Sequence, residues 1–295
     1  MTPGATKSAF RPALVIEAAA LLLSLVLFFP LSGSGEEHLG YPRVRDAVRE
    51  KGPSLRSLFE RRGLGYPPRD IFIRAFKAER VLELWARDEG YEGYAFVKSY
   101  PFCAASGGPG PKRRAGDGQI PEGFYHIERF NPASEYHLSL GIDYPNEHDR
   151  AMGWGGGDIF IHGGCRTVGC IPLTDESIKE LYVAAALARE GGQRRIPVHI
   201  FPARLDGAGF RGLAAGVRGD RALLAFWENL RRGYEIFEST RHVPEVEVDG
   251  EGRYAYVSDT VSADLIRYVL SSSARGPALR FRLGGMREAD REGTF

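Results

Sequence analysis

The chain has little cysteine: three residues among 295. That is too few for a disulfide-dense scaffold, and an odd number leaves at least one thiol unpaired within the chain. An excess of one charge is also missing. Lysine and arginine number 39 against 38 acidic residues, a formal net charge of +1, so there is no broad electrostatic case for a nucleic-acid partner. The run Lys112-Arg113-Arg114 is too short to change that; it reads as a solvated loop or as a contact for carboxylates of an anionic substrate. No Lys-Ser/Thr follows Gly155-Gly156-Gly157, which argues against a phosphate-cradling loop, and no internal repeat stands out. Zinc is poorly supplied. His162, Cys165 and Cys170 offer three ligands, but their spacing fits no usual knuckle and no second Cys/His pair lies nearby. Neither a metal nor another cofactor is expected.

What is present begins with an apolar run from Pro12 to Leu31, preceded by Lys7 and Arg11 and followed by Ser32-Gly33-Ser34-Gly35-Glu36-Glu37. Basic flank, apolar run and small-residue exit describe an export signal, and the run is long enough to span a bilayer if it is not removed. No Ala-x-Ala stands at the exit. Residues 1–35 are therefore expected to be an uncleaved membrane anchor or a signal peptide, and either places the remainder outside the cytoplasm. In an exported chain a bridge becomes feasible. If Cys170 stays reduced, Cys103 and Cys165 remain as a candidate pair, with a structural thiol at Cys165 the other reading.

Residues 36–69 read as a helical brace. Tyr41 to Leu64 predicts one or two short helices, interrupted at Gly52-Pro53, with a weak apolar face of Val44, Val48, Leu55, Leu58 and Phe59. From Asp70 the period shortens. Ile71–Phe76, Val81–Ala86 and Tyr94–Tyr100 are rich in β formers and closely connected, which predicts an antiparallel meander. Further strands are expected at Gly123–Ile127, Tyr136–Leu140, Asp158–His162 and Ile196–Phe201, with a helix over Asp175–Arg189 capped by Thr174. The domain so formed spans 70–202. Beyond it, residues 203–295 read as a helical accessory region. Leu223, Phe226, Trp227, Leu230, Tyr234 and Phe237 form a core-facing stripe at helical spacing, followed by a strand near Tyr254–Val257 and a helix over Ala263–Leu270. The fold class is α+β, mainly β, with helical flanks at both ends.

The chemistry concentrates in Asp158-Ile159-Phe160-Ile161-His162-Gly163-Gly164-Cys165-Arg166-Thr167-Val168-Gly169-Cys170-Ile171-Pro172. A histidine ending an alternating strand and a cysteine reached through a glycine-rich turn are the minimal kit for thiolate catalysis: the imidazole takes the thiol proton and the sulfur attacks a carbonyl carbon. Cys170 is the expected nucleophile and His162 the base. Gly163 and Gly169 let the backbone bend beside the sulfur and aim N–H groups at a developing oxyanion. His126, His137, His148 and His199 each read alone as structural, although His137 and Tyr144 could line the cleft.

His162-Gly163 followed by Thr167-Val168-Gly169-Cys170-Ile171 resembles the signature of the L,D-transpeptidase catalytic domain of the YkuD type. Gln119-Ile120-Pro121-Glu122-Gly123-Phe124-Tyr125 is similar to that family's Thr-Pro-x-Gly-x-Phe element. The short His-to-Cys interval, the extra Cys165 and Cys103-Ala104-Ala105-Ser106-Gly107 look more like the YafK-like branch. Pro172-Leu173 departs from the Arg or Asn that many members carry there. The resemblance implies a β-sandwich-like domain in the periplasm acting on peptidoglycan stem peptides. Cys170 would attack the carbonyl of meso-diaminopimelate, the Gly163 carbonyl would hold the imidazole, and the N–H groups of Gly169 and Cys170 would form the oxyanion hole. Arg166, Thr167, His137, Tyr144, Lys112 and Arg113 are the candidate substrate contacts. The resulting thioester would pass to an amine, giving cross-links or protein attachments. The alternative is hydrolysis of the link between peptidoglycan and an outer-membrane lipoprotein, and the inner membrane would be a partner through the N-terminal segment. A non-catalytic cell-wall-binding module is the reading from another class. A papain-type peptidase is disfavoured, because there the cysteine precedes the histidine.

Overall fold

The computed structural model describes residues 39–217 and 219–257. The apolar run Pro12–Leu31 and the helix expected over Ala263–Leu270 lie outside them. Helix α1 (Pro42–Arg61) is followed by β1 (Asp70–Phe76), β2 (Val81–Arg87), β3 (Ala95–Pro101), β4 (Gly123–Asn131), β5 (Ser139–Ile142), α2 (Glu147–Ala151), β6 (Phe160–His162) and β7 (Ile171–Pro172). Helix α3 (Asp175–Glu190), β8 (Ile196–Phe201), α4 (Gly207–Gly216), α5 (Arg221–Thr240), β9 (Val246–Val248) and β10 (Tyr254–Tyr256) complete the order.

Eight strands form one sheet in the order β3-β2-β1-β8-β4-β5-β6-β7. The expected meander is present as β1-β2-β3, but β1 pairs with β8 in parallel and β6 with β7 in parallel, so the sheet is mixed. Central β1 is buried on both faces, as its apolar residues on either side of Arg74 require. Ile71, Ile73 and Ala75 join Leu140, Ile161 and Ile171 in a core closed by Ile178, Leu181 and Tyr182 of α3 and by Val44, Leu55 and Phe59 of α1. On the other face Phe76, Phe124 and Phe201 meet Trp227, Leu230 and Tyr234 of α5 and the tyrosines of β10. The aromatic stripe read from the sequence is this surface.

α1 is one helix rather than two. It runs through Pro53 because residues on either side of the proline pack on the same core, with Glu50 and Lys51 paired to Lys179 and Glu176 of α3. Burial offsets the roughly 3 kcal/mol a helix-interior proline costs. Arg74 ties α5 to the sheet: the residue is 1% exposed, and its guanidinium bonds Glu83 and Glu238 and lies over the Trp85 and Phe237 rings. A β-bulge at Glu128 lets β4 keep Phe124, His126 and Asn131 on one face while Tyr125, Ile127 and Phe130 stay in the core.

Candidate active site

β6 and β7 run side by side with Ile161 opposite Ile171. Both isoleucines are fully buried, so strand alternation turns Phe160, His162 and Cys170 to the other face. There they line a cleft of about 300 Å³ with Asn131, Ser139 and Tyr136. Cys170 is the free cysteine. Cys103 and Cys165 are bridged, with their Cα atoms 5.2 Å apart.

His162 is 3% exposed, and its Nδ1 lies 2.6 Å from the Gly163 carbonyl. A carbonyl only accepts, so Nδ1 carries the proton and Nε2 keeps its lone pair. The Tyr136 ring packs over the imidazole at 4.8 Å. Burial pushes the imidazole below its ordinary pKa, with the Gly163 carbonyl opposing. The Cys170 sulfur accepts the Phe160 N–H at 3.4 Å, and its thiol donates to the Asp158 carbonyl at 3.6 Å. Burial raises the thiol, while the Phe160 N–H and the Lys112 charge pull it down and Asp158 pushes it up. Both shifts favour a neutral thiol beside a neutral imidazole.

The turn between the two residues is tightly held. The Thr167 hydroxyl accepts the Cys170 N–H at 2.9 Å and donates to the Cys170 carbonyl at 2.7 Å. The Gly169 N–H donates to the Ser106 hydroxyl at 2.7 Å. Gly169 has φ +90°, and a Cβ there would lie 2.9 Å from the Gln119 carbonyl oxygen. At Gly163 a Cβ would meet Asp175 Oδ1 at 2.6 Å and the Tyr136 carbonyl at 2.9 Å, so both positions exclude side chains. Asp175, first residue of α3, accepts the Gly164 N–H.

None of the six candidate substrate contacts lines the cleft itself. Thr167 staples the nucleophile turn. Lys112 is buried, its ammonium donating to the Arg114 carbonyl and to Asp117, and the Tyr144 hydroxyl is taken by the carbonyls of Gly155 and Lys112. The polar ends of Lys112 and Tyr144 thus hold the loops together. His137 is half-buried with φ +68°, and its carbonyl accepts from Arg43. Arg113 stacks over Trp154 at 5.5 Å, and Arg166 is exposed. Ser106, Tyr136 and Asp158 were not singled out by sequence reasoning. Ser106 and Tyr136 lie 64 and 34 positions before Cys170, and only the fold brings them to it.

The family model of the L,D-transpeptidase catalytic domain (YkuD) matches residues 70–200, from the start of β1 into β8. YafK of Escherichia coli (strain K12), provisionally named an L,D-transpeptidase, is 38% identical over 205 residues, covering 69% of this chain and 80% of YafK. The chain belongs to the L,D-transpeptidase family. The helical cell shape determining protein Pgp2 from Campylobacter jejuni is a solved structure with 20% identity and a TM-score of 0.37, covering 61% of this chain and 73% of Pgp2. L,D-transpeptidase 1 of Mycobacterium tuberculosis is more distant, at 12% identity and a TM-score of 0.25, covering 44% of this chain and 61% of its own. Within this member of the family, His162, Gly163, Gly169 and Cys170 fall inside the matched span, as do both bridged cysteines.

Proposed function

We propose that this L,D-transpeptidase acylates Cys170 with a peptidoglycan stem peptide at the meso-diaminopimelate carbonyl and passes the acyl group to an amine. The observation that carries this is the free thiol sharing one cleft with a Gly163-oriented imidazole while the other two cysteines are bridged. Rotation about the Cys170 Cα–Cβ bond exchanges the weak S–H···O bond to Asp158 for the bare Nε2 of His162. The imidazole takes the thiol proton as sulfur bonds the carbonyl carbon, then delivers it to the departing amine as the C–N bond breaks. An acceptor amine attacks the thioester, losing its proton to His162, and the thiolate leaves. The products are cross-links or protein attachments. Gly169 and Cys170 N–H groups receive the oxyanion, each giving up a neutral hydroxyl for a charge-assisted bond.

The same first half serves hydrolysis, including release of a lipoprotein from peptidoglycan. Both uses place the protein in the cell envelope, and the N-terminal apolar run is the proposed link to the inner membrane. The test incubates the protein with a tetrapeptide donor, with and without an amine acceptor, and follows protein and product masses. Wild type should gain the acyl mass and yield ligated product; water addition alone would assign it as a hydrolase. Cys170→Ala should gain nothing. An unchanged product yield in that variant would overturn the proposal.

A further inference from the structure

A second and larger cavity lies on the same face of the sheet. It is a groove of about 760 Å³ whose floor includes Phe124, His126 and His199, with Asp143–Glu147 as one wall and Val243–Val248 as the other. It approaches the nucleophile cleft along β4: Glu128 lines the groove and Asn131 lines the cleft, three positions or about 10 Å apart.

The β9 wall presents an open strand edge. The Val257 N–H donates to the Glu245 carbonyl, Glu247 faces Ala255, and the Asp249 N–H donates to the Arg253 carbonyl. In an antiparallel ladder the alternate residues point the other way, so the N–H and C=O groups of Val246 and Val248 point away from β10. Among the described residues β9 pairs with β10 alone. The hairpin's opposite edge is closed, because Asn229 of α5 bonds both the N–H and the carbonyl of Tyr254. Val246 and Val248 pack inward with Tyr256 and Tyr254, which leaves Glu245 and Glu247 on the solvent face. His199 adds a polar atom without a partner: the residue is 3% exposed, lines the groove, and its Nδ1 has no hydrogen bond.

Charge decides which strand fits. The groove carries five carboxylates, at Glu128, Asp143, Glu147, Glu245 and Glu247, against two arginines, Arg150 and Arg195. Asp143 is held by His126, Arg150 bonds the Pro145 carbonyl, and Arg195 lies against His126. An added strand would set its outward side chains beside Glu245 and Glu247, where basic residues gain and acidic ones are repelled. Free stem peptides carry several carboxylates and suit this rim poorly.

We infer that β9 takes up an extended, lysine- or arginine-bearing polypeptide as a third strand of its hairpin, holding the protein side of a peptidoglycan–protein linkage beside the Cys170 cleft. This rests on the stem-peptide reading of the cleft and names the second partner of the same site. Main-chain bonds to Val246 and Val248 would give affinity, and the carboxylate rim would select charge.

The test measures binding to the full-length protein, so it does not depend on turnover. Fluorescence anisotropy would compare a labelled eight-residue Lys/Val alternating peptide with its Glu/Val counterpart. The basic peptide should bind at least tenfold more tightly, and less so at raised salt. Val246→Pro removes an outward N–H while sparing the ladder to β10, and should weaken binding about tenfold. The Glu245→Gln/Glu247→Gln pair perturbs no backbone and should bring the two peptides within threefold of each other. Turnover of the tetrapeptide donor should stay within twofold in all variants. Equal binding of both peptides by wild type, or unchanged affinity in both variants, would overturn the inference while leaving the Cys170 chemistry standing. Absent acylation with selective peptide binding would do the reverse.

Discussion

The Ser106 hydroxyl accepts the Gly169 N–H at 2.7 Å, immediately before the free thiol in the chain. The donor expected to face an oxyanion is thus occupied at rest by a residue 63 positions upstream, held close by the Cys103–Cys165 bridge. Displacing a neutral hydroxyl by a charged oxygen is favourable, since charge-assisted bonds are about twice as strong. Ser106→Ala should therefore leave the acylation rate within about fivefold of wild type while lowering stability by ~1 kcal/mol. Stopped-flow acylation and thermal melts would check both. A loss of a hundredfold or more would instead make the hydroxyl an oxyanion donor in its own right.

The pH profile follows from the two neutral groups. Burial lowers His162 from its ordinary 6.5, and the base is competent only when neutral, so kcat/KM should rise with pH along an acid limb below 6.5. Burial also raises the Cys170 thiol above its ordinary 9.0, so the free enzyme should react slowly with iodoacetamide at pH 7 and faster only in alkali. Fast alkylation at neutral pH would show a preformed ion pair instead.

Removing the bridge should loosen the turn. Cys103 and Cys165 are separated by 62 positions, and closing a loop of that size restricts the unfolded chain by ~4 kcal/mol. Cys103→Ser/Cys165→Ser should lower the midpoint of chemical denaturation. It should also slow acylation by roughly tenfold, because Cys165 no longer anchors the turn that carries Gly169 and Cys170. An acylation rate equal to wild type would confine the bridge to stability.

Asp149 makes stability depend on pH. It is fully buried, accepts the Tyr125 hydroxyl and the Asn146 N–H, and burial raises its pKa from 3.8 to about 6. A carboxyl whose folded value is raised stabilises most below the unfolded value and loses that contribution as pH climbs through about 6. Wild type should lose up to roughly 3 kcal/mol between pH 4 and pH 7 from this group. Asp149→Asn should flatten that part of a Tm-against-pH curve.

Much of this was legible in the chain. The strands from Ile71 to Tyr100 are rich in β formers and closely connected, Thr174 announces α3, and the stripe from Leu223 to Phe237 marks a buried helix face. His162 and Cys170 stood out because their residue types and the intervening glycines define one kind of chemistry. What stayed hidden was non-local. Nothing in Ile196–Phe201 says that it pairs in parallel with β1, some 125 positions earlier. The helix through Pro53 contradicts local propensity and exists because its two halves share one core. Lys112 looked like a free cation because sequence does not show that Asp117 and the Arg114 carbonyl claim its protons.

The order of the three cysteines has a consequence for how active protein is made. Cys103 emerges first, and Cys165 and Cys170 follow five positions apart. An oxidant acting before folding is complete has two acceptors to choose between, and joining Cys103 to the later one would silence the enzyme without unfolding much of it. Preparations are therefore expected to hold a soluble but inert fraction whose free thiol is Cys165, recoverable by thiol–disulfide reshuffling.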